Sequence, residues 1–355
     1  MNPNSPRALP AQAGQQPKSP PLVFFSTPDY VLPVLEQLKN AGYEIAAIVS
    51  QPPKPVGRKQ ILTPTPTAVW ASQNNIPNLD ASPKTLIEPL QKIGATIAIL
   101  ASYGRIIPQA IIDVFPQGIL NIHPSLLPKF RGALPVEGAL VAGESETGVT
   151  IIKLDAEMDH GPIVSQITEK INKDDTKITL RKRLFEKGAA ELIKVLPDYL
   201  AGKIALQEQD HTQATYTTLM KKEYGFIPPQ YLEAAFKGET LEEKWPIPFI
   251  KDFSLVPSAY SLHNFIRAIN PWPGAYTEVI LPINTNTTNK QSLALRANYQ
   301  STKKRLKILK SHLENLVAQE PNAPTVHLVP DLVQLEGKNP VSWQQFKQGY
   351  PNFTF

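Results

Sequence analysis

The chain has 355 residues and a formal charge of +5, which suits two domains and permits a polyanionic partner without requiring one. It has no cysteine, which excludes disulfides, a thiolate nucleophile and zinc–thiolate centres. No apolar run approaches the roughly 18 residues of a membrane span, so a soluble protein with no membrane contact is expected; it is also expected to be cytoplasmic and monomeric.

Residues 1–20 are rich in Pro, Gln and Ala with no apolar stretch, and are expected to form a disordered tail. Their lack of acidic residues leaves organellar import open, although the prolines break the helix an import sequence needs. The run "PLVFF" then predicts a strand, and Val31, Leu32, Leu35 and Leu38 at helical spacing predict a helix ending near Gly42. "EIAAIVS" repeats the strand signal, "TAVWASQNN" the helix, and "ATIAIL" and "GILNIH" two further strands. This alternation predicts an α/β, Rossmann-like domain with a mostly parallel sheet over residues 21–206. "TGVTIIKLD" and "GPIVSQITEKI" form a hairpin within it, and the long periodic stretch ending near Gly202 is its closing helix. Residues 207–228 are polar and unperiodic and are expected to be a linker. From 229 to 355 a helix, "SLHNFIRAIN", and the strand-like pieces "AYTEVIL", "SLALRANY", "RLKILKS" and "LVQLEG" predict a small OB-like β-barrel, with a polar loop over Pro282–Gln291.

Ligands of open α/β sheets bind beyond the carboxyl ends of the strands. Asn121 and His123, two apart at such an end, project to one face, and Pro124 and Pro128 stiffen the exit. Asp159, in the turn "LDAEMDHG", is the carboxylate best placed to fix the tautomer of a proton-shuttling His123. His123, Asp159 and His160 lack any metal-ligand spacing, so no metal is expected. The turn "FSTPDY" lacks the glycine patterns of dinucleotide and ATP sites.

"NIHPSLLPKFRG" together with "LDAEMDHGPIVSQ" resembles the folate-dependent formyltransferases. Within that superfamily, "QPPKPVGRKQILTPTP" (51–66), "FIRAINPWPGAYT" (265–277) and the final "VQLEGKNPVSWQQFKQGYP" are similar to the methionyl-tRNA formyltransferase family. Two features depart from that pattern: Ser26-Thr27-Pro28 stands where the family has Gly-Thr-Pro, and few basic residues follow Arg58.

The resemblance implies transfer of a formyl group from 10-formyltetrahydrofolate to the α-amine of methionyl-initiator tRNA, with Asn121, His123 and Asp159 as the catalytic set. An apolar slot for the pterin is expected from Tyr103, Gly104, Arg105, Ile106 and Ile107 with Ser125, Leu126, Leu127 and Pro128. Contacts to tRNA are expected from Gly57, Arg58 and Lys59, and from Lys303, Lys304 and Arg305. Trp272, between two prolines, is expected to pack the second domain against the first. A sugar-nucleotide or ribonucleotide formyltransferase would keep the same three catalytic residues but lack the 51–66 loop. A tRNA-binding protein without catalysis would not need the three residues at all.

Overall fold

The computed structural model describes residues 20–57, 59–79, 83–282, 301–316 and 325–355. Residues 1–19, Arg58, the expected strand at 292–299 and all of the expected loop but Pro282 lie outside them.

The first domain is built on seven strands: β1 (Leu22–Phe25), β2 (Ile45–Val49), β3 (Asn78–Leu79), β4 (Ile97–Leu100), β5 (Ile119–His123), β6 (Glu146–Lys153) and β7 (Ile163–Lys170). They lie in the order β7-β6-β5-β4-β1-β2-β3. β1 to β5 pair in parallel, while β6 and β7 join by antiparallel pairing. All residues of β1 and β5 are buried, as central strands covered on both faces require. One core packs Leu86, Leu90, Ile111 and Phe115 on one face. The other packs helices Leu32–Asn40, Pro135–Ala142 and Lys177–Leu200 on the opposite face.

Thr176 starts the 24-residue helix Lys177–Leu200 by accepting from the amide of Thr179, and Leu180, Leu184, Leu192 and Leu196 form its buried stripe. Gly188 brings this helix against the strand that carries the site: a Cβ there would sit 2.7 Å from Cγ2 of Ile122, which lies between Asn121 and His123.

Two helices stand before the sheet of the second domain: Pro229–Lys237, which periodicity did not reveal, and Ala259–Ile269. Its sheet is antiparallel, β8 (Ala275–Pro282), β9 (Ser301–Leu316), β10 (Thr325–Leu335) and β11 (Val341–Ser342) in that order. Thr354 bridges onto Ile280 of the outer strand, and Val279, Leu281, Leu306, Val333 and Phe346 form a separate small core, as expected of a small barrel. The domains dock through Leu262, Phe265, Ile266 and Ile269, which join the first domain's core. Trp272 has no such role: the residue is 56% exposed, and its carbonyl accepts from Nζ of Lys177.

Residues 207–217 run along the first domain as a strap, and Ile227 beyond it donates its amide to the carbonyl of Tyr276 in the second domain. Gln207 pairs with Ile163 through both backbone bonds (2.7 and 2.9 Å), and Tyr216–Thr217 pair in parallel with Arg131–Gly132. Gly132 permits this contact, since a Cβ there would lie 2.1 Å from the Thr217 carbonyl oxygen.

Candidate active site

The site forms where β5 ends. Alternation along "ILNIH" sends Leu120 and Ile122 into the helix-covered core and leaves Asn121 and His123 together on the other face, 5% and 4% exposed. Asp159 reaches them from the turn between β6 and β7 in a left-handed conformation, φ 49°. Its Oδ1 accepts from Nδ2 of Asn121 at 3.1 Å and lies 3.5 Å from Nδ1 of His123. Its Oδ2 accepts from the Gly132 amide at 2.7 Å. The other ring nitrogen of His123, Nε2, lies 3.1 Å from the carbonyl of Phe130.

Acceptors therefore face both nitrogens of the imidazole. Burial opposes protonation of His123 and Arg131 adds to that, but the Asp159 carboxylate and the Phe130 carbonyl outweigh them and hold its pKa above the ordinary value. Burial likewise opposes the charge on Asp159, and His123, the Gly132 amide and Arg131 overcome it, leaving its pKa below the usual carboxylate value. The pair favours a protonated imidazole beside an ionised carboxylate, and three donors converge on two carboxylate oxygens.

The 125–128 segment is fixed by polar bonds: Thr150 Oγ1 donates to the Ser125 carbonyl (2.7 Å) and accepts from the Leu127 amide (3.1 Å). Leu127 packs with Ile152 and Ile163, and with Pro128 it lines a groove of about 490 Å³ beside the strap. Tyr103 and Ile107 are buried in the other core, Gly104 and Arg105 are exposed, and Ile106 is 75% exposed. The two stretches expected to make one slot thus belong to different apolar clusters.

Within the 51–66 stretch Lys54–Val56 and Ile61–Thr63 form an exposed hairpin, with Gly57 at φ 72° after its first strand, and buried Thr65 caps the helix Pro66–Gln73. Lys59 is exposed, and Gln51 anchors the base of the hairpin by donating to the carbonyls of Tyr103 and Gly104 at 2.9 and 3.2 Å.

On β9 the basic trio divides. Register pairs Lys303, Arg305 and Lys307 with outward Ile280, Glu278 and Tyr276, whereas Lys304 falls opposite buried Val279. Lys303 bonds Glu278 and Arg305 lies over the Tyr276 ring at 4.4 Å, so the outward basic row is Lys303, Arg305 and Lys307.

The strap supplies polar groups that sequence reasoning missed. Arg131, 1% exposed, donates to Oε1 of Gln209 through Nη2 at 2.7 Å and to Nδ1 of His211 at 2.8 Å. Gln209, 5% exposed, donates to the carbonyls of Asp159 (2.9 Å) and Gly161 (2.7 Å). Periodicity gave no sign of Gln209 in an unperiodic polar run; only its burial exposes it.

Among the described residues no helix is long and apolar enough to cross a membrane, and no cluster of His, Asp and Glu is arranged to hold a metal ion.

Residues 22–196 match the family model for formyl transferase, and residues 254–351 match that for its C-terminal domain. The chain is similar to the methionyl-tRNA formyltransferase of Chloroflexus aggregans, 39% identical over 261 residues that cover 72% of this chain and 75% of that one. The enzyme of that name from Bacillus subtilis is 33% identical over 280 residues, 78% of this chain and 77% of that one. The fold is shared with a solved N-formyltransferase from Helicobacter canadensis, in complex with folinic acid and dTDP-3-aminofucose. That likeness has a TM-score of 0.54 at 17% identity and covers 89% of this chain and 94% of that one. With both domain models matched in order and relatives of this identity aligned along most of both chains, this chain belongs to the methionyl-tRNA formyltransferase family.

Proposed function

We propose that the protein transfers the formyl group of 10-formyltetrahydrofolate to the α-amine of methionyl-initiator tRNA, supporting translation initiation. The observation that carries this is the convergence of Asn121 and His123 on one carboxylate at a strand end, in a chain of this family.

In this reading the amine attacks the formyl carbon, and charge develops on the formyl oxygen. The Asn121 amide has a second N–H beyond the one given to Asp159, and it donates to that oxygen. His123 gives a proton to the departing folate nitrogen as that C–N bond breaks and takes one from the attacking nitrogen, so the imidazole ends as it began. To act, Nε2 exchanges its bond to Phe130 for one to the substrate. Asp159 keeps the ring oriented and its protonated form stable. Orienting two large substrates supplies about 7 to 11 kcal/mol of the barrier, more than acid–base work worth about 10² to 10⁴ in rate.

The pterin is assigned to the segments 103–107 and 125–128, with Leu127 and Pro128 beside the open groove. The exposed hairpin that carries Gly57 and Lys59 is assigned, with Arg58 between them in the sequence, to the acceptor end of the tRNA. The basic row on β9 is assigned to its phosphates; Lys303 and Arg305 belong to that row, while Lys304 falls on the inward register. The protein acts as a cytoplasmic monomer.

The decisive experiment measures formyl transfer from 10-formyltetrahydrofolate to charged initiator tRNA, with an amino-sugar nucleotide as the competing acceptor. Transfer to the sugar and none to tRNA would refute the reading.

A further inference from the structure

We infer that Gln209 is a positioning residue: the strap between the two domains holds the catalytic turn in place through its side-chain amide. This rests on the assignment of Asp159 as the partner of His123. Gln209 lies between the stretches 22–196 and 254–351 that match the family models, in a run whose sequence reads as linker.

Asp159 meets His123 and Asn121 from a left-handed backbone, φ 49°, a conformation that costs a residue with a Cβ free energy and persists where its surroundings hold it. The Gln209 amide provides such a hold. Its Nε2 donates to the carbonyls of both Asp159 and Gly161, while its Oε1 accepts from Nε and Nη2 of Arg131 at 3.3 and 2.7 Å. Arg131 is the residue before Gly132, whose amide binds the Asp159 carboxylate. One buried side chain thus ties the backbone of Asp159 to the segment that grips its carboxylate. The strap is itself fixed, since Thr215 and Thr217 bond the backbone of Phe130, Arg131 and Leu134.

The residue competes for nothing in the reaction; it acts through Asp159. A near-isosteric Gln209→Met takes this donor from the two carbonyls and one of its acceptors from the Arg131 guanidinium, which keeps His211, and so frees the turn. A shift on the order of 1 Å in the Asp159 carboxylate costs up to about 10²-fold in rate. The charged groups facing His123 are Asp159 and Arg131, so a displaced carboxylate also lowers the imidazole pKa.

The test uses the full chain: steady-state kinetics with charged initiator tRNA and 10-formyltetrahydrofolate, and NMR titration of the His123 ring, assigned by its loss in His123→Gln. Gln209→Met is expected to lower kcat about tenfold to 10²-fold with KM for the formyl donor nearly unchanged, and to move the His123 titration to lower pH. In an Asp159→Asn background it should cost nothing further, because its effect has lost its target. Gln209→Asn, whose amide is retracted by one methylene, should be intermediate and serves if Gln209→Met does not fold. A Gln209 variant that lowers Tm yet keeps kcat and the titration, or one that costs the same factor in both backgrounds, overturns the inference. Full activity in Asp159→Asn alone would instead overturn the assignment of Asp159, and this inference with it.

Discussion

Replacing Asp159 by Asn is the sharpest test of the site, because three donors surround the carboxylate. The Gly132 amide points at one oxygen from 2.7 Å, and the Asn121 amide and Nδ1 of His123 face the other from 3.1 and 3.5 Å. A carboxylate accepts from all three; an amide has one oxygen and must turn its NH₂ toward at least one donor. Leaving a buried donor unsatisfied costs about 1 to 3 kcal/mol, and His123 also loses the charge that offsets its burial. Its pKa should therefore fall from above the ordinary value toward or below it. Turnover should drop by about 10² or more, the worth of the proton transfer, while affinity for the folate holds. The assays are kcat for formyl transfer, folate binding by titration, and the NMR titration of the His123 ring. A variant with wild-type turnover, or a His123 titration that stays where it was, would refute the pairing.

Asn121→Ala should lower kcat by about 10² to 10³ with little change in KM for the folate; an effect confined to thermal stability would show the residue to be structural. Arg58→Ala should weaken use of the charged tRNA by about 1 to 3 kcal/mol if the contact is base-specific, with a different effect on initiator and elongator tRNA, read as kcat/KM. Neutralising Lys303 and Arg305 together should weaken all tRNAs alike and flatten the dependence of kcat/KM on salt. Lys177, 9% exposed at the junction of the domains, donates to the carbonyls of Ile269 and Trp272. Burial pushes its pKa down from 10.5 to about 8, with Arg181 adding to the fall and Glu137 opposing it. Between those values the unfolded chain binds more protons than the folded one, so stability contributed at this site rises with pH over that window, by about 3 kcal/mol at most. Denaturant unfolding of the wild type and Lys177→Met at pH 7 and pH 10 should show the difference moving in favour of the wild type; a constant difference would contradict it.

The sequence by itself determined the parts of this protein governed by local periodicity. Apolar runs alternating with 3.6-residue patterns specify most strands of the first domain and the helices Leu32–Asn40, Pro66–Gln73 and Lys177–Leu200, because each buries a face set by its own repeat, whereas helix Pro135–Ala142, buried nearly all round, and the two-residue strand β3 do not show themselves this way. The two-residue spacing of Asn121 and His123 fixes them to one side of β5 for the same reason. The prolines of the 51–66 stretch exclude a central strand, and an exposed two-stranded hairpin is what forms. Contacts between distant segments leave no such trace. That Gln209 is buried under the catalytic turn, that Trp272 faces outward, and that Lys304 parts from Lys303 and Arg305 follow from register and docking. The reason is physical: a polar side chain is committed to the interior only by partners such as Arg131 and the Asp159 carbonyl, which lie 78 and 50 residues away along the chain and meet it only in the folded state.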